Sequence, residues 1–267
     1  MKYIIVGGDR RFECLERLIK RTPGNSAWRV DGKNDMRKAL SEIGGADCIV
    51  LNNPIKDCAD GLDFFKVIEN ASEKALVFSC GPQVCAVEDR RVIDLWRDEI
   101  LINDNAVLTA EGAVAAAMQA GNRSVRDMSC LVIGWGRIGR ALTELLVGMG
   151  VKTTVASRSP SGRNRAIERG ALAVNTDYLR LKGFDVVFST PPHPVLHDKI
   201  LKKADKDVMI LDLASPPYGV DLKAAWDLGL RAWREPGLPG RYCPESAAMA
   251  IMRAIDRGIE WVREAYQ

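Results

Sequence analysis

Histidine is nearly absent from this chain: 267 residues hold 2 of them. That scarcity argues against a histidine-built metal centre. The 7 cysteines do not rescue a zinc site or a disulfide framework. Their number is odd, and Cys80 and Cys85 stand too far apart for a two-residue ligand spacing. Free thiols in a reducing cytosol are the expectation. Charge of one sign is also scarce. Lys and Arg total 38 against 35 Asp and Glu, a net charge of +3 with no basic run, which argues against a nucleic-acid surface. No apolar stretch approaches the roughly 18 residues of a membrane span. Tyr3-Ile4-Ile5-Val6 reads as a strand at once, so no signal peptide is expected and the chain is read as cytoplasmic.

One further absence is chemically specific. The run Gly134-Trp135-Gly136-Arg137-Ile138-Gly139 follows the apolar stretch Cys130-Leu131-Val132-Ile133 and opens the helical pattern Ala141, Leu142, Leu145, Leu146. Strand, glycine turn and helix in that order suit a dinucleotide pyrophosphate, which would meet free N–H groups and the positive end of the helix dipole. A cofactor with a free ribose 2′-hydroxyl usually meets Asp or Glu about 20 residues on. Here the second strand, Val151 to Ala156, ends in Ser157-Arg158-Ser159 and carries no carboxylate. Two hydroxyls and a guanidinium suit a 2′-phosphate, so the expected cofactor is NADP(H).

Strand and helix alternate along the whole chain, which argues for parallel sheets. A first block reads as strands at Tyr3–Val6, Cys48–Leu51, Ala75–Ser79 and Ile100–Ile102. Its helices are expected at Phe12–Lys20, Met36–Ile43, Leu62–Glu69 and Val87–Arg97. The alanine-rich helix from Ala110 to Met118, with Thr109 as expected N-cap and Gly121 as stop, is placed between two domains. Strands of the second block are expected at Leu131–Ile133, Thr153–Ala156, Leu172–Val174, Val186–Ser189, Val208–Leu213 and Leu230–Trp233. That count fits a full doubly wound sheet. A last helix from Pro244 carries Ala247, Ala248, Ile251, Ile255, Ile259 and Val262 on one face and is expected to pack back on the first domain.

Ligands of open parallel sheets sit beyond the carboxyl ends of strands. Three proline-dense loops follow strands of the second block: Thr190-Pro191-Pro192, Leu213-Ala214-Ser215-Pro216-Pro217 and Pro236-Gly237-Leu238-Pro239-Gly240. Such loops are either ordinary turns or pre-set holders of a nicotinamide ring. In the first block, Gly7-Gly8-Asp9-Arg10-Arg11 follows a strand, as does Ser79-Cys80-Gly81. The arginines at a helix start suit a substrate carboxylate, or Asp9 is simply the helix cap. Glu111 is either a general base or a helix-end charge. His193 and His197 lack an evident partner and read as surface residues.

Thr109-Ala110-Glu111-Gly112, Gly134-Trp135-Gly136-Arg137, Leu211-Asp212-Leu213-Ala214-Ser215-Pro216 and Pro236-Gly237-Leu238-Pro239-Gly240 together resemble the dipicolinate synthase A family. Gly7-Gly8-Asp9-Arg10 is similar too. The resemblance spans most of the chain in family order. It departs at 103–108, which lacks a proline before Thr109, and at Arg241-Tyr242-Cys243-Pro244-Glu245-Ser246. It implies a cytoplasmic oxidoreductase of endospore formation that draws on the diaminopimelate and lysine route. Such an enzyme takes a dihydrodipicolinate-level precursor to the aromatic dicarboxylate with a nicotinamide cofactor and a flavoprotein-like second subunit.

The expected architecture is thus α/β with two doubly wound domains. A flavodoxin-like substrate domain (residues 1–108, with 244–267 returning to it) is followed by an interdomain helix (109–125) and a Rossmann NADP-binding domain (126–243), with a cleft between the domains. Expected cofactor contacts are Gly134, Gly136, Arg137, Ile138, Gly139, Ser157, Arg158, Ser159, Thr190, Pro191, Pro192, Leu213, Ala214, Ser215, Pro236 and Gly237. For a small dicarboxylate, Asp9, Arg10, Ser79, Gly81 and Arg241 are the expected binding residues, with Glu111 as base and Thr109 beside it. A homo-oligomer is expected. Two other readings stay open: a 2-hydroxyacid-type NADPH dehydrogenase, and a nucleotide-binding subunit that works only with a flavoprotein partner.

Overall fold

The structure, a computed structural model, describes residues 1–31, 36–52, 55, 61–81 and 92–265. The chain forms two compact units, Met1–Asn105 with Pro239–Gln267, and Ala106–Leu238.

In the first unit, β1 (Lys2–Val6), α1 (Arg10–Arg21), β2 (Ser26–Val30), α2 (Met36–Gly44) and β3 (Cys48–Asn52) come first. They are followed by α3 (Phe64–Asn70), β4 (Leu76–Cys80), β5 (Val92–Asp94) and the start of α4 (Glu99–Gly121). The strands form one parallel sheet in the order β2-β1-β3-β4-β5, the flavodoxin-like winding. Both faces of such a sheet are covered, so its strands are apolar runs rather than alternations. Ile4, Val6, Ile49, Leu51 and Val77 pack on one side. Tyr3, Ile5, Cys48, Val50 and Phe78 pack on the other.

The second unit holds β6 (Ser129–Ile133), α5 (Arg137–Gly148), β7 (Lys152–Ala156), α6 (Pro160–Glu168), β8 (Leu172–Val174) and β9 (Val186–Ser189). Then come α7 (Asp198–Leu201), β10 (Met209–Asp212), α8 (Leu222–Asp227) and β11 (Arg231–Arg234). Its parallel sheet runs β11-β10-β9-β6-β7-β8, the dinucleotide-binding order, with its switch point between β6 and β9. The expected α/β class with doubly wound sheets is what the chain forms.

The chain ends with α9 (Leu238–Tyr242) and α10 (Pro244–Ala265). On α10, Ala248, Ile251, Ala254, Ile255 and Ile259 recur at helical spacing and share a core with Phe12, Leu15 and Ile19 of α1. Each buried isoleucine contributes about 2 kcal/mol by area removed from water. The helix therefore returns to the first unit as its apolar face dictates, although Val262 is only half-buried.

Local differences from the sequence reading sit in the first unit. Ser26–Val30 is a strand that pairs with β1, and Pro23-Gly24-Asn25 is the turn that leads into it. In place of the helix expected at 87–97, the described part is strand β5 and a 3-10 turn, Leu95–Arg97. Positions 87–91 lie outside the described residues. Ile100–Ile102 is not a strand but the first turn of α4. Asp98 accepts the Leu101 N–H at 2.9 Å, so the helix is capped 11 residues before the expected site. Thr109 is consequently mid-helix and buried, not a cap. Arg257 of α10 holds Asp98 at 2.8 Å and Arg253 holds Asp104 at 3.1 Å, which ties the polar first turns of α4 down.

Candidate cofactor site

The turn after β6 is built by steric exclusion. Gly134 has φ +97°, which an L side chain rarely adopts, and a β carbon there would stand 2.5 Å from Thr190 Oγ1. Thr190 is fixed in turn, since its hydroxyl donates to the Ile133 carbonyl at 2.8 Å. A β carbon at Gly139 would collide with the Gly134 carbonyl oxygen, so only glycine lets α5 pack this close to the strand end. Gly136 is different. It is the N-cap of α5, makes no side-chain cap, and a β carbon on it would meet nothing within 4 Å. The first N–H groups of α5 therefore have no capping side chain, and the space beside Gly136 is open, which suits a pyrophosphate. The residues present fit a dinucleotide.

A cavity of about 880 Å³ extends from this turn along the carboxyl ends of β7, β8 and β9. Gly134, Gly136, Ser157, Arg158, Ser159, Thr190, Pro191 and Pro192 of the expected set all line it. Arg137, Ile138 and Gly139 begin α5 beside the turn without lining the cavity. Leu213 and Ala214 follow β10, Ser215 lies on the same loop, and Pro236 and Gly237 follow β11; none of these five lines this cavity.

At the end of β7 the backbone is braced. Arg163 of α6 donates to the carbonyls of Ser157 and Arg158, each at 2.8 Å. Ser157 is buried and Arg158 is exposed at the rim. Ser159 caps α6 by accepting the Gly162 N–H at 3.2 Å, and its hydroxyl shares a hydrogen bond with Ser161 at 2.7 Å. Arg158 and Arg165 both line the cavity, and neither has an ion pair among the described residues. Trp135 packs its side chain 3.2 Å from where a β carbon at Gly162 would be, so the indole rests on the first turn of α6.

Several lining residues escaped the sequence reading: Trp135, Ser161, Arg165, Thr176 and Asp177. A signal existed for the last two, because the segments that follow β6, β7 and β9 also line the cavity, and Thr176 and Asp177 follow the short β8. His193 and His197, read as surface residues, are exposed and also line the cavity.

Asp212 closes β10. It is buried, and its carboxylate accepts the backbone N–H groups of Ala214, Gly219 and Val220 at 3.1–3.3 Å. Burial pushes its carboxyl above the usual range, outweighing those N–H groups and the nearby Arg234. A β carbon at Gly219 would collide with Ser189 Oγ. Arg234 stacks 3.7 Å over the Tyr218 ring on the same loop. The Leu213–Pro217 segment is thereby pinned at both ends.

Of the expected substrate residues, Asp9, Arg10, Ser79 and Gly81 lie at or just after strand ends of the first unit. Asp9 caps α1 through the Arg11 N–H at 3.0 Å. Arg11 also grips the Asp9 carboxylate in bidentate fashion, with contacts of 2.8 and 2.9 Å. Burial works against the Asp9 charge, but the Arg11 guanidinium outweighs it and holds the carboxyl below its ordinary value. Arg10, next in sequence, is exposed and has no ion pair among the described residues. Ser79, next to last in β4, is fully buried, and its hydroxyl has no hydrogen-bond partner among the described residues. Gly81 follows it, and Arg241 lies on α9. Glu111 is exposed on α4, half a turn past Thr109.

Residues 122–220 match the family model described as "Putative NAD(P)-binding". The chain is 30% identical to the dipicolinate synthase A protein of Bacillus subtilis over 177 residues, which is 65% of this chain and 59% of that one. It spans less than two thirds of the length of the curated relatives it matches. The crystal structure of the dipicolinate synthase A chain from Bacillus subtilis superposes with a TM-score of 0.79 at 22% identity, covering 99% of this chain and 97% of that one. D-Lactate dehydrogenase from Escherichia coli has the same fold at a TM-score of 0.64 and 13% identity, covering 100% and 98%. The resemblance to dipicolinate synthase A is therefore borne out, and so is a nicotinamide-cofactor domain. No helix among the described residues is long and apolar enough to cross a membrane.

Proposed function

We propose that this chain is an NADP(H)-dependent oxidoreductase that converts a cyclic, dihydrodipicolinate-level dicarboxylate to its aromatic product during sporulation. The observation that carries the cofactor half is the arginine-bearing end of β7. Arg158 stands at the rim of the glycine-turn cavity, and no carboxylate follows that strand. The substrate half rests on the similarity to dipicolinate synthase A.

The nicotinamide ring, when bound, exchanges hydride with a substrate carbon. The remaining work belongs to the chain. Arg10 holds a substrate carboxylate, and Asp9 positions it by capping α1 and occupying Arg11. Ser79 supplies a hydroxyl, with Gly81 and Arg241 as further binding residues. Glu111 takes the proton lost on aromatisation, and Thr109 supplies a hydrogen bond. A flavoprotein-like second subunit works with the chain, in keeping with a relative that is itself one subunit of its synthase, and the chain assembles with copies of itself. The 2-hydroxyacid reading is the weaker one. Both histidines lie on the loop after β9, and none lies in the 236–245 segment that would supply an acid–base residue.

Calorimetric titration of the wild-type chain and of Arg158→Ala with NADPH and NADH tests the cofactor half. Tight NADPH binding that falls at least tenfold in the variant, with NADH unchanged, is the expected result. Equal binding of both cofactors by the wild type overturns the 2′-phosphate reading. Turnover of dihydrodipicolinate by the chain, alone and with a flavoprotein subunit, tests the rest; turnover of 2-oxo acids instead would replace it.

A further inference from the structure

Four of the five crossovers in the sheet of the second unit carry a helix, and one does not. α5 and α6 join β6, β7 and β8, while α7 and α8 join β9, β10 and β11. From β8 to β9 the chain makes only a 3-10 turn, Thr176–Tyr178. Positions paired in register share a face of a parallel sheet, so Leu172 and Val174 lie on the face of Leu131, Ile133 and Ala156. Leu201 of α7 and Ala225 of α8 share the core built on that face, as do Leu179 and Leu181 of the helix-less crossover. The cover ends between β7 and β8. Thr154 of β7 is 7% exposed, whereas its partner Leu172 is 61% exposed, Val174 37% and Tyr178, on the turn, 78%. Apolar side chains left open side by side at a sheet corner mark a surface that another element covers.

Charge beside the corner is mostly of one sign. Lys152 lies on the same face, one step back along β7 from Thr154, and Arg180 and Lys182 alternate with Leu179 and Leu181. All three cations are exposed, and none has an ion pair among the described residues. Between 171 and 182 the one carboxylate is Asp177, and Asn175 Nδ2 donates to it at 3.2 Å. We infer that the open corner at β8 docks an amphipathic helix of a partner protein. Its apolar stripe covers Leu172, Val174 and Tyr178, and Asp or Glu on its flanks face Lys152, Arg180 and Lys182. The vacancy is the place a crossover helix takes elsewhere in this sheet, and an added strand would find only the three residues of β8 to pair with. Charge also selects against a second copy, because a two-fold contact through this corner sets the same three cations opposite one another.

The probe is a labelled amphipathic helical peptide with a leucine stripe and Glu flanks, titrated into the full chain and followed by fluorescence anisotropy. The same peptide with Lys flanks is the control. The Glu peptide is expected to bind at least tenfold more tightly than the Lys peptide, and less tightly as salt rises. Leu172→Gln, and separately Arg180→Glu with Lys182→Glu, should each cut its affinity at least tenfold. These side chains are exposed, so the urea midpoints should stay near wild type and separate lost docking from lost folding. Equal binding of the two peptides, or binding of neither, overturns the inference. So does an affinity that the variants leave unmoved. Displacement of the Glu peptide by NADPH would seat it on Arg158 and Arg165 in the cofactor cavity and overturns it as well. Sedimentation that shows self-association of the wild type, abolished by Leu172→Gln, would give the corner to a second copy instead.

Discussion

Gly240 of α9 lies so close to Asp9 that a β carbon on it would stand 2.8 Å from Oδ2 and 3.1 Å from Oδ1. The carboxylate it touches caps α1 and receives both arms of Arg11. Gly240→Ala must push that carboxylate aside and disturb cap and ion pair together. The expected cost is about 1–3 kcal/mol, read as a lower urea midpoint for the first unit. A midpoint within error of the wild type would show that the Asp9 side chain gives way without loss.

Two glycines of the cofactor turn should behave oppositely. Gly134→Ala meets Thr190 Oγ1 at 2.5 Å from a backbone at φ +97°, so both stability and dinucleotide binding should fall. Gly136→Ala meets nothing within 4 Å, so stability should fall only by the N-cap preference for glycine over alanine, about 1 kcal/mol or less. Binding should nevertheless drop tenfold or more, because the added methyl occupies the space the pyrophosphate needs. Normal binding by Gly136→Ala would place the phosphates elsewhere.

The neighbouring arginines of α1 divide into one structural and one available group. Arg11→Ala removes the bidentate partner of Asp9 and should destabilise the first unit by about 1–2 kcal/mol. Arg10→Ala removes no ion pair among the described residues and should leave stability unchanged while raising KM for the dicarboxylate at least tenfold. Unchanged KM in Arg10→Ala would remove it from the substrate site.

Acid should loosen the junction of α4 and α10. Burial raises the Asp98 carboxyl, but the Leu101 N–H and the Arg257 guanidinium outweigh it and hold its pKa below the ordinary value. A carboxyl depressed in the folded state contributes stability that is present above its unfolded pKa and lost as pH falls through the folded one. The urea midpoint should therefore hold from pH 7 to 5 and drop below about pH 4. Asp98→Asn should lower the plateau by about 1–3 kcal/mol and flatten part of the acid drop. An identical acid profile in the variant would assign the transition to other carboxylates.

The second unit was legible almost strand by strand. Leu172–Val174 and Val186–Ser189 are the strands as read, because apolar runs bounded by Gly, Asn and Pro leave little choice of register. The first unit was less legible where tertiary contacts decide. Asn103-Asp104-Asn105 falls between the strand expected at Ile100–Ile102 and the helix expected from Ala110, yet Arg253 pairs with Asp104 and a single helix runs through. The short strand Ser26–Val30 carries Arg29 in its middle, which masks its pairing with β1. In the cofactor site the glycine turn and the β7 end carry their own motifs. Thr176 and Asp177 are marked only by following β8, and Arg165 carries no signal, since it lines the cavity only when a helix turn and separate strand ends are brought together by the fold.

The close approach of Gly219 to Ser189 also limits how this sequence can drift. Any codon change that swaps the glycine introduces a β carbon, and that carbon collides with Ser189 Oγ while standing 3.0 Å from the Pro191 carbonyl oxygen. Position 219 thus has no neutral neighbours while Ser189 keeps its hydroxyl. Trimming Ser189 removes the worst of these contacts and leaves the Pro191 oxygen to shift by a few tenths of an ångström, so geometry favours a lineage in which Ser189 changes before Gly219.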